Sequence, residues 1–275
     1  MNALPTLPAM LAWALIPALM LGACQRADPR GDAPTSRSLS TAERQDNEER
    51  AAEPARPAPR PNPQPTANPT PQEAAPAAEP LDEATLARLL DPPADEHAPE
   101  EFTVVLDTTK GEVRIDVTRA WAPLGADRIY SMVRLGYLDD TAFFRTIPRF
   151  MAQVGMHGSP EVNRVWSRRN LIDDPRTQSN TRGMVSFAQS SAPNSRSNQF
   201  FVSLIDNSRL DEMGFAPFGR VRDMTVMDTI HSGYGESAPQ GRGPTQGQTA
   251  AQGNRYLRAS FPNLDYIRNA SIHEP

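Results

Sequence analysis

The chain has 275 residues, of which 38% are hydrophobic, and its formal net charge is −5. Residues 1–100 carry −7 and residues 101–275 carry +2, so the nearly neutral carboxyl-terminal part gives no electrostatic reason to expect nucleic acid as a partner. The one cysteine, Cys24, excludes a disulfide framework within the chain and a zinc site of several cysteines. The four histidines lie far apart, and we expect neither a metal nor a cofactor.

Residues 1–23 are predicted to be a lipoprotein signal peptide. The apolar run at residues 9–23 has about the length of a signal-peptide core. It leads into LGAC at residues 21–24, which resembles a bacterial lipobox, with Cys24 as the lipidation site. No Lys or Arg precedes the run, and the alternative is an ordinary signal or anchor segment with a chance cysteine. Several acyl chains would anchor the protein firmly. Gln25, in place of Asp, favours the outer membrane, facing the periplasm.

Residues 24–100 are predicted to be a disordered linker. Ten prolines lie between residues 51 and 80, and residues 25–78 hold few large apolar side chains whose burial could offset chain entropy. A chain of this composition is extended and semi-rigid, so it suits a tether; the alternative is passive low-complexity sequence. The leucine spacing after residue 80 predicts a short helix that ends before Pro92.

Residues 101–275 are predicted to form one globular domain. Residues 102–117 favour a β-hairpin around residues 109–111, and residues 122–138 favour a helix that begins near Pro123. Short strands are predicted at residues 142–147, 150–155, 183–188, 198–204, 217–221 and 266–272, and a second short helix at residues 225–233. Many short strands with two helices indicate an antiparallel barrel or sandwich around a single core.

The motifs FFRTIPRFMAQVG (residues 143–155), GMVSFA, SNQFFVSL and FAPFGRV resemble, in order and spacing, the cyclophilin family of peptidyl-prolyl isomerases. The resemblance covers residues 102–232. It implies a mainly β fold, a closed eight-stranded antiparallel β-barrel capped by two α-helices, with the active site on its outer face. It also implies a monomer that accelerates rotation about X–Pro bonds of exported proteins, with proline-containing polypeptides as partners and no cofactor.

Arg145 raises a question because charged side chains are rarely placed among apolar neighbours without a partner or a function. When an X–Pro amide twists, its nitrogen becomes a hydrogen-bond acceptor, and a guanidinium can donate to it. The resemblance implies that Arg145 is this catalytic donor and that Gln153 orients it or holds the substrate backbone. It also implies a substrate-binding set, which consists of Phe150, Met151, Ala188, Gln189, Gln199, Phe201, Leu210 and Phe215.

The sequence departs from the best-known eukaryotic pattern at the rim of this site. Gln189 stands where Asn is usual, Arg209 where Trp is common, and Phe215 where His is common. Bacterial members can rebuild the rim with other aromatics, so activity is expected, but with weak inhibition by cyclosporin. The rival hypotheses are a non-catalytic proline-binding chaperone or scaffold tethered to the cell envelope, and a purely structural envelope protein.

Two long segments have no assigned role in the sequence, at residues 155–183 and residues 233–248. Both can shape substrate access, and both are also compatible with flexible surface loops. The second is rich in glycine but lacks the spacing and the βαβ context of a dinucleotide-binding fingerprint.

Overall fold

The structure is a computed structural model in which residues 81–274 are described. The predicted signal peptide at residues 1–23, Cys24 and the linker up to residue 80 lie outside the described residues. The prediction that the linker continues to residue 100 was wrong. Helix α1 (Glu83–Leu90) forms in this stretch, as the leucine spacing predicts, and Leu89 is fully buried in the main core. Because this burial offsets the entropy of ordering, residues 83–90 belong to the folded domain.

Within residues 81–274 the chain forms one antiparallel sheet of nine strands. The predicted hairpin is confirmed, since its two strands pair from end to end. The strands are β1 (Glu101–Thr108), β2 (Gly111–Thr118), β3 (Thr141–Ala142), β4 (Arg145–Ile147), β5 (Met151–Val154), β6 (Met184–Phe187), β7 (Phe200–Ser203), β8 (Pro217–Val221) and β9 (Tyr266–His273). Their order in the sheet is β3-β9-β1-β2-β8-β6-β7-β5-β4.

The expected closed barrel of eight strands is replaced by this open, curled sheet of nine. The difference arises at Phe143 and Phe144, which interrupt a segment predicted to be one strand. Before the interruption, β3 pairs with β9, and after it β4 pairs with β5. One bent chain segment therefore joins both edges of the sheet, although no ladder between β3 and β4 closes the described strands into a ring.

Five α-helices accompany the sheet in the described part of the chain, rather than the two expected. They are α1, α2 (Pro123–Arg134), α3 (Pro160–Trp166), α4 (Gln246–Gln252) and α5 (Asn254–Ser260). The helix predicted at residues 225–233 is only a 3-10 turn, Met227–Thr229, because four of its nine residues are β-branched and resist continuation as a helix. None of the helices within residues 81–274 is long and apolar enough to cross a membrane.

The main core lies between the sheet and α2. The helix contributes Ala126, Ile129 and Met132, all fully buried, and the strands present alternate residues such as Val154 and Val202 to the same interior. Side chains alternate between the two faces of a strand. The residues between these core positions must therefore lie on the opposite face of β5 and β7.

Candidate active site

Arg145 lies on the face of the sheet that points away from the main core. In the register of β4 and β5 it is directly opposite Gln153, and Gln153 is opposite Phe201 on β7. Directly paired residues share a face, so one row of side chains crosses three strands. Hydrogen bonds connect the polar side chains of this row and extend to Gln199, which comes directly before β7. Arg145 Nη1 donates to Gln153 Oε1 at 2.9 Å, and Gln153 Nε2 donates to Gln199 Oε1 at 2.8 Å.

An apolar cluster separate from the main core lies beside this row. Met151 belongs to it because it is two residues from Gln153 on β5 and therefore on the same face. The Phe201 and Phe215 rings meet edge to face, with centroids 5.5 Å apart. The buried members of the cluster are Met151, Phe201, Leu210 and Phe215, and the partly buried ones are Ile147, Phe150 and Ala188.

Two buried polar side chains support the segment that carries Leu210 and Phe215. Asn207 Nδ2 donates to the carbonyl oxygen of Phe150 at 2.8 Å, and Asn180 Nδ2 donates to that of Phe215 at 2.9 Å. Both asparagines are fully buried, and Asn207 Oδ1 has no hydrogen-bond partner among the described residues. Their side-chain N–H groups nevertheless fix this side of the apolar cluster through hydrogen bonds that run between distant parts of the chain.

The residues predicted to align the peptide are Ala188, Gln189 and Gln199, and Ala188 packs against the cluster. The main-chain N–H of Ala188 already donates to the Gln199 carbonyl at 2.8 Å, which leaves the carbonyl of Ala188 as the group that can face a peptide. Gln189 Nε2 donates to the Met213 carbonyl at 2.6 Å, while its buried Oε1 has no hydrogen-bond partner among the described residues. The structure therefore brings together all ten residues of the predicted site.

Sequence reasoning missed one charged member of the site, Glu236. Its carboxylate accepts hydrogen bonds from Arg145 Nε at 2.6 Å and from Nη2 at 2.5 Å. Burial acts to raise the pKa of Glu236, but the hydrogen bonds and charge of Arg145, with the Ser237 N–H, outweigh burial and the pKa is lowered. The one signal in the sequence is that Glu236 is an acidic residue in the glycine-rich segment 233–248. Its contact with Arg145 could not be predicted, because 91 positions separate the two residues.

The site contains neither a histidine nor a cluster of metal-binding side chains among the described residues. Within residues 81–274 no group of three or more His, Cys, Asp or Glu side chains could hold a metal ion. His157 is buried away from the cluster, and burial lowers its pKa to about 4, so it is neutral near neutral pH. What the site offers is a fixed row of donors and acceptors next to an apolar cluster.

Comparison with known proteins gives matches to one family. A family model described as "Cyclophilin type peptidyl-prolyl cis-trans isomerase/CLD" matches residues 103–249. A peptidyl-prolyl cis-trans isomerase of Acinetobacter baylyi is 31% identical over 139 residues, which cover 49% of this chain and 74% of that relative. Peptidyl-prolyl cis-trans isomerase A of Dickeya dadantii is 31% identical over 132 residues, covering 46% of this chain and 70% of that relative.

Another relative and a solved structure match as well. Peptidyl-prolyl cis-trans isomerase-like 3 of Rhizopus delemar is 34% identical over 132 residues, covering 44% of this chain and 76% of that relative. The crystal structure of a cyclophilin type peptidyl-prolyl cis-trans isomerase from Cryptosporidium parvum superposes with a TM-score of 0.47 at 17% identity, covering 64% of this chain and 99% of that one. The relationship rests on the sequence matches.

Proposed function

Because the chain belongs to the cyclophilin-type peptidyl-prolyl cis-trans isomerase family, and is itself a peptidyl-prolyl cis-trans isomerase, we propose that Arg145 is the group that stabilises the twisted X–Pro bond. Family membership favours an isomerase over the non-catalytic proline-binding chaperone or scaffold and over the purely structural envelope protein. The assignment of roles to individual residues is the proposal.

The chemistry requires a hydrogen-bond donor rather than a nucleophile. Rotation about a peptide bond has a barrier of about 18–20 kcal/mol because the amide is conjugated. In the twisted state conjugation is lost, and the proline nitrogen regains a lone pair that accepts a hydrogen bond. A donor aimed at this nitrogen binds the twisted state better than either planar isomer, and this difference lowers the barrier.

The geometry around Arg145 supports this role. Its guanidinium is held by Gln153 on the same face as the apolar cluster, so a proline ring seated in the cluster brings its nitrogen towards the arginine. In this proposal Phe150, Met151, Phe201, Leu210 and Phe215 surround the ring. Gln199 and the main chain at Ala188 and Gln189 align the peptide. The observation that carries the proposal is this placement of the arginine row beside the pocket.

The test compares the full-length wild type with Arg145→Ala on a short Ala-Pro peptide, monitored by the rate of cis–trans exchange. We expect kcat/KM to fall at least about 100-fold, as when one preorganised donor to a transition state is removed. Arg220→Ala is the matched control, because Arg220 is an exposed arginine on β8, and it should retain full activity. A folded Arg145→Ala variant with wild-type turnover would contradict the role of Arg145.

We further propose that the enzyme is a lipid-anchored monomer of the bacterial cell envelope. The support is the LGAC sequence at residues 21–24, which ends the apolar run that begins at residue 9. Cys24 would carry the lipid, and the Pro-rich residues up to 80 would hold the catalytic domain away from the outer membrane, on its periplasmic side. Its substrates would then be X–Pro bonds of exported proteins, whose folding it would assist.

A further inference from the structure

The carboxylate that contacts Arg145 has no part in forming the proline pocket. Two parallel hydrogen bonds join Nε and Nη2 of Arg145 to the two oxygens of Glu236. The pair is largely shielded from solvent, with 19% of the Arg145 side chain and 28% of the Glu236 side chain exposed. A bidentate arrangement fixes the plane of a guanidinium in addition to attracting its charge.

The backbone that carries Glu236 is attached to the strand of Arg145. Gly235 forms an antiparallel bridge with Thr146, the residue next to Arg145 on β4. The following loop folds back so closely that a Cβ atom at Gly241 would lie 2.2 Å from the carbonyl oxygen of Glu236, far inside nonbonded contact. Glycine is needed at this position, and the tight fold leaves Glu236 little freedom to move away.

The carboxylate is also oriented from its own side of the contact. The backbone N–H of Ser237 donates to Glu236 Oε1 at 2.8 Å, so this oxygen is held in place independently of the arginine. The lowered pKa keeps Glu236 ionised at neutral pH, although burial alone would raise it. Glu236 is therefore a charged acceptor that is already oriented in the absence of a substrate.

Glu236 leaves Arg145 able to donate to a substrate. A guanidinium has five N–H groups. Two of them bond to Glu236 and one bonds to Gln153, which leaves two unassigned by these contacts. The arginine is thus held from two sides by a carboxylate and an amide, and its remaining donors are fixed in direction.

We infer that Glu236 is a positioning residue, which holds the guanidinium of Arg145 in the plane and rotamer needed for donation to the twisted proline nitrogen. The inference rests on the proposed role of Arg145. A long, flexible side chain that is ordered beforehand loses less entropy in the transition state. Segment 233–248 thereby acquires a function in the isomerase reaction.

The test is a double-mutant cycle in the full-length chain, with the Ala-Pro peptide as substrate. We expect Glu236→Gln to lower kcat about tenfold, with KM within about twofold of wild type, because the lost interaction orients a transition-state donor. In the Arg145→Ala background the same substitution should change kcat/KM less than about twofold. Arg242→Ala, an exposed change in the same loop, controls for disturbance of the loop and should retain wild-type kinetics.

Three results would overturn the inference: unchanged kcat in Glu236→Gln, equal losses in both backgrounds, or a rise in kcat, which would make Glu236 a restraint on Arg145. If Arg145→Ala retains activity, the catalytic proposal itself fails, whatever Glu236 does.

A second measurement does not depend on activity. The Nε–H NMR signal of Arg145 should shift strongly in Glu236→Asp, because the shorter side chain moves the carboxylate away from the guanidinium. The signal should remain in place in Arg242→Ala. An unmoved signal in Glu236→Asp would also refute the inference.

Discussion

Arg209 stands at the edge of the apolar cluster and brings a positive charge to the pocket rim. Its guanidinium carbon lies 4.8 Å from the centroid of the Phe150 ring, and its side chain is exposed. Within residues 81–274 no carboxylate forms an ion pair with it. A cation over an aromatic face is attracted by the ring, so the charge is held at the mouth of the pocket, where it can attract an acidic residue of the substrate.

We predict that peptides with Glu next to the proline are better substrates than otherwise identical peptides with Lys. The preference in kcat/KM should be up to about fivefold, since an exposed ion pair contributes ~1 kcal/mol or less, and it should shrink in high salt. Arg209→Ala should remove the preference, whereas Arg220→Ala should leave it intact. Equal kcat/KM for the Glu and Lys peptides in the wild type would show that Arg209 does not affect specificity.

At the scale of elements, the segment before β1 is part of the folded domain. The indole Nε1 of Trp166, at the end of α3, donates to the Leu89 carbonyl at 3.0 Å. Arg169 donates to the carbonyls of Pro92 and Pro93 at 3.0 and 2.6 Å. The long segment 155–183 is therefore not merely a surface loop. It holds helix α1 and the residues that follow it against the rest of the domain.

Leu89 and Leu90 offer a matched pair for testing this packing, because Leu89 is 0% exposed and Leu90 is 36% exposed. We expect Leu89→Ala to lower the free energy of unfolding by about 2–5 kcal/mol, as for other buried leucines, and Leu90→Ala by less than about 0.5 kcal/mol. Urea unfolding of the full chain measures both. Equal, small losses in the two variants would contradict the docking of α1.

At the scale of the whole molecule, the proposed arrangement places an active domain at the end of a Pro-rich tether. In that proposal the tether would comprise residues 24–80 rather than 24–100, because α1 belongs to the domain. At roughly 3 Å per residue an extended Pro-rich chain of this length can still reach over ~100 Å. If the lipid-anchor proposal holds, the catalytic face would meet its substrates at a distance from the membrane surface.

The proposed lipid anchor would depend on Cys24 alone, since it is the only cysteine in the chain. We predict that Cys24→Ser abolishes labelling by a radioactive fatty acid and moves the protein from the membrane to the soluble fraction, while kcat/KM is unchanged. Ala27→Ser should remain lipidated and membrane-bound. If Cys24→Ser stays in the membrane fraction after a salt and carbonate wash, the apolar run itself is the anchor and the lipoprotein proposal is wrong.

The sequence predicts the hairpin β1–β2, helix α2, β8 and β9 well, because turn residues and hydrophobic periodicity are local signals. A local signal also predicts that the catalytic and pocket residues named from the sequence share one surface. Arg145, Gln153 and Met151 belong to one continuous motif, and alternation along paired strands puts them on the same face. Helix α3 had a usable local signal as well, since Ser159 and Pro160 are typical of a helix start.

By itself, then, the sequence determined the isomerase family and most of the side chains of the apolar cluster beside Arg145, since these follow from local pattern and order. Tertiary structure alone decided that Glu236 holds Arg145, that Leu89 is buried against the domain and that the chain bends at Phe143 to join both sheet edges. Each of these depends on partners far away in the chain, and their contacts exist only once the sheet has curled and brought them together.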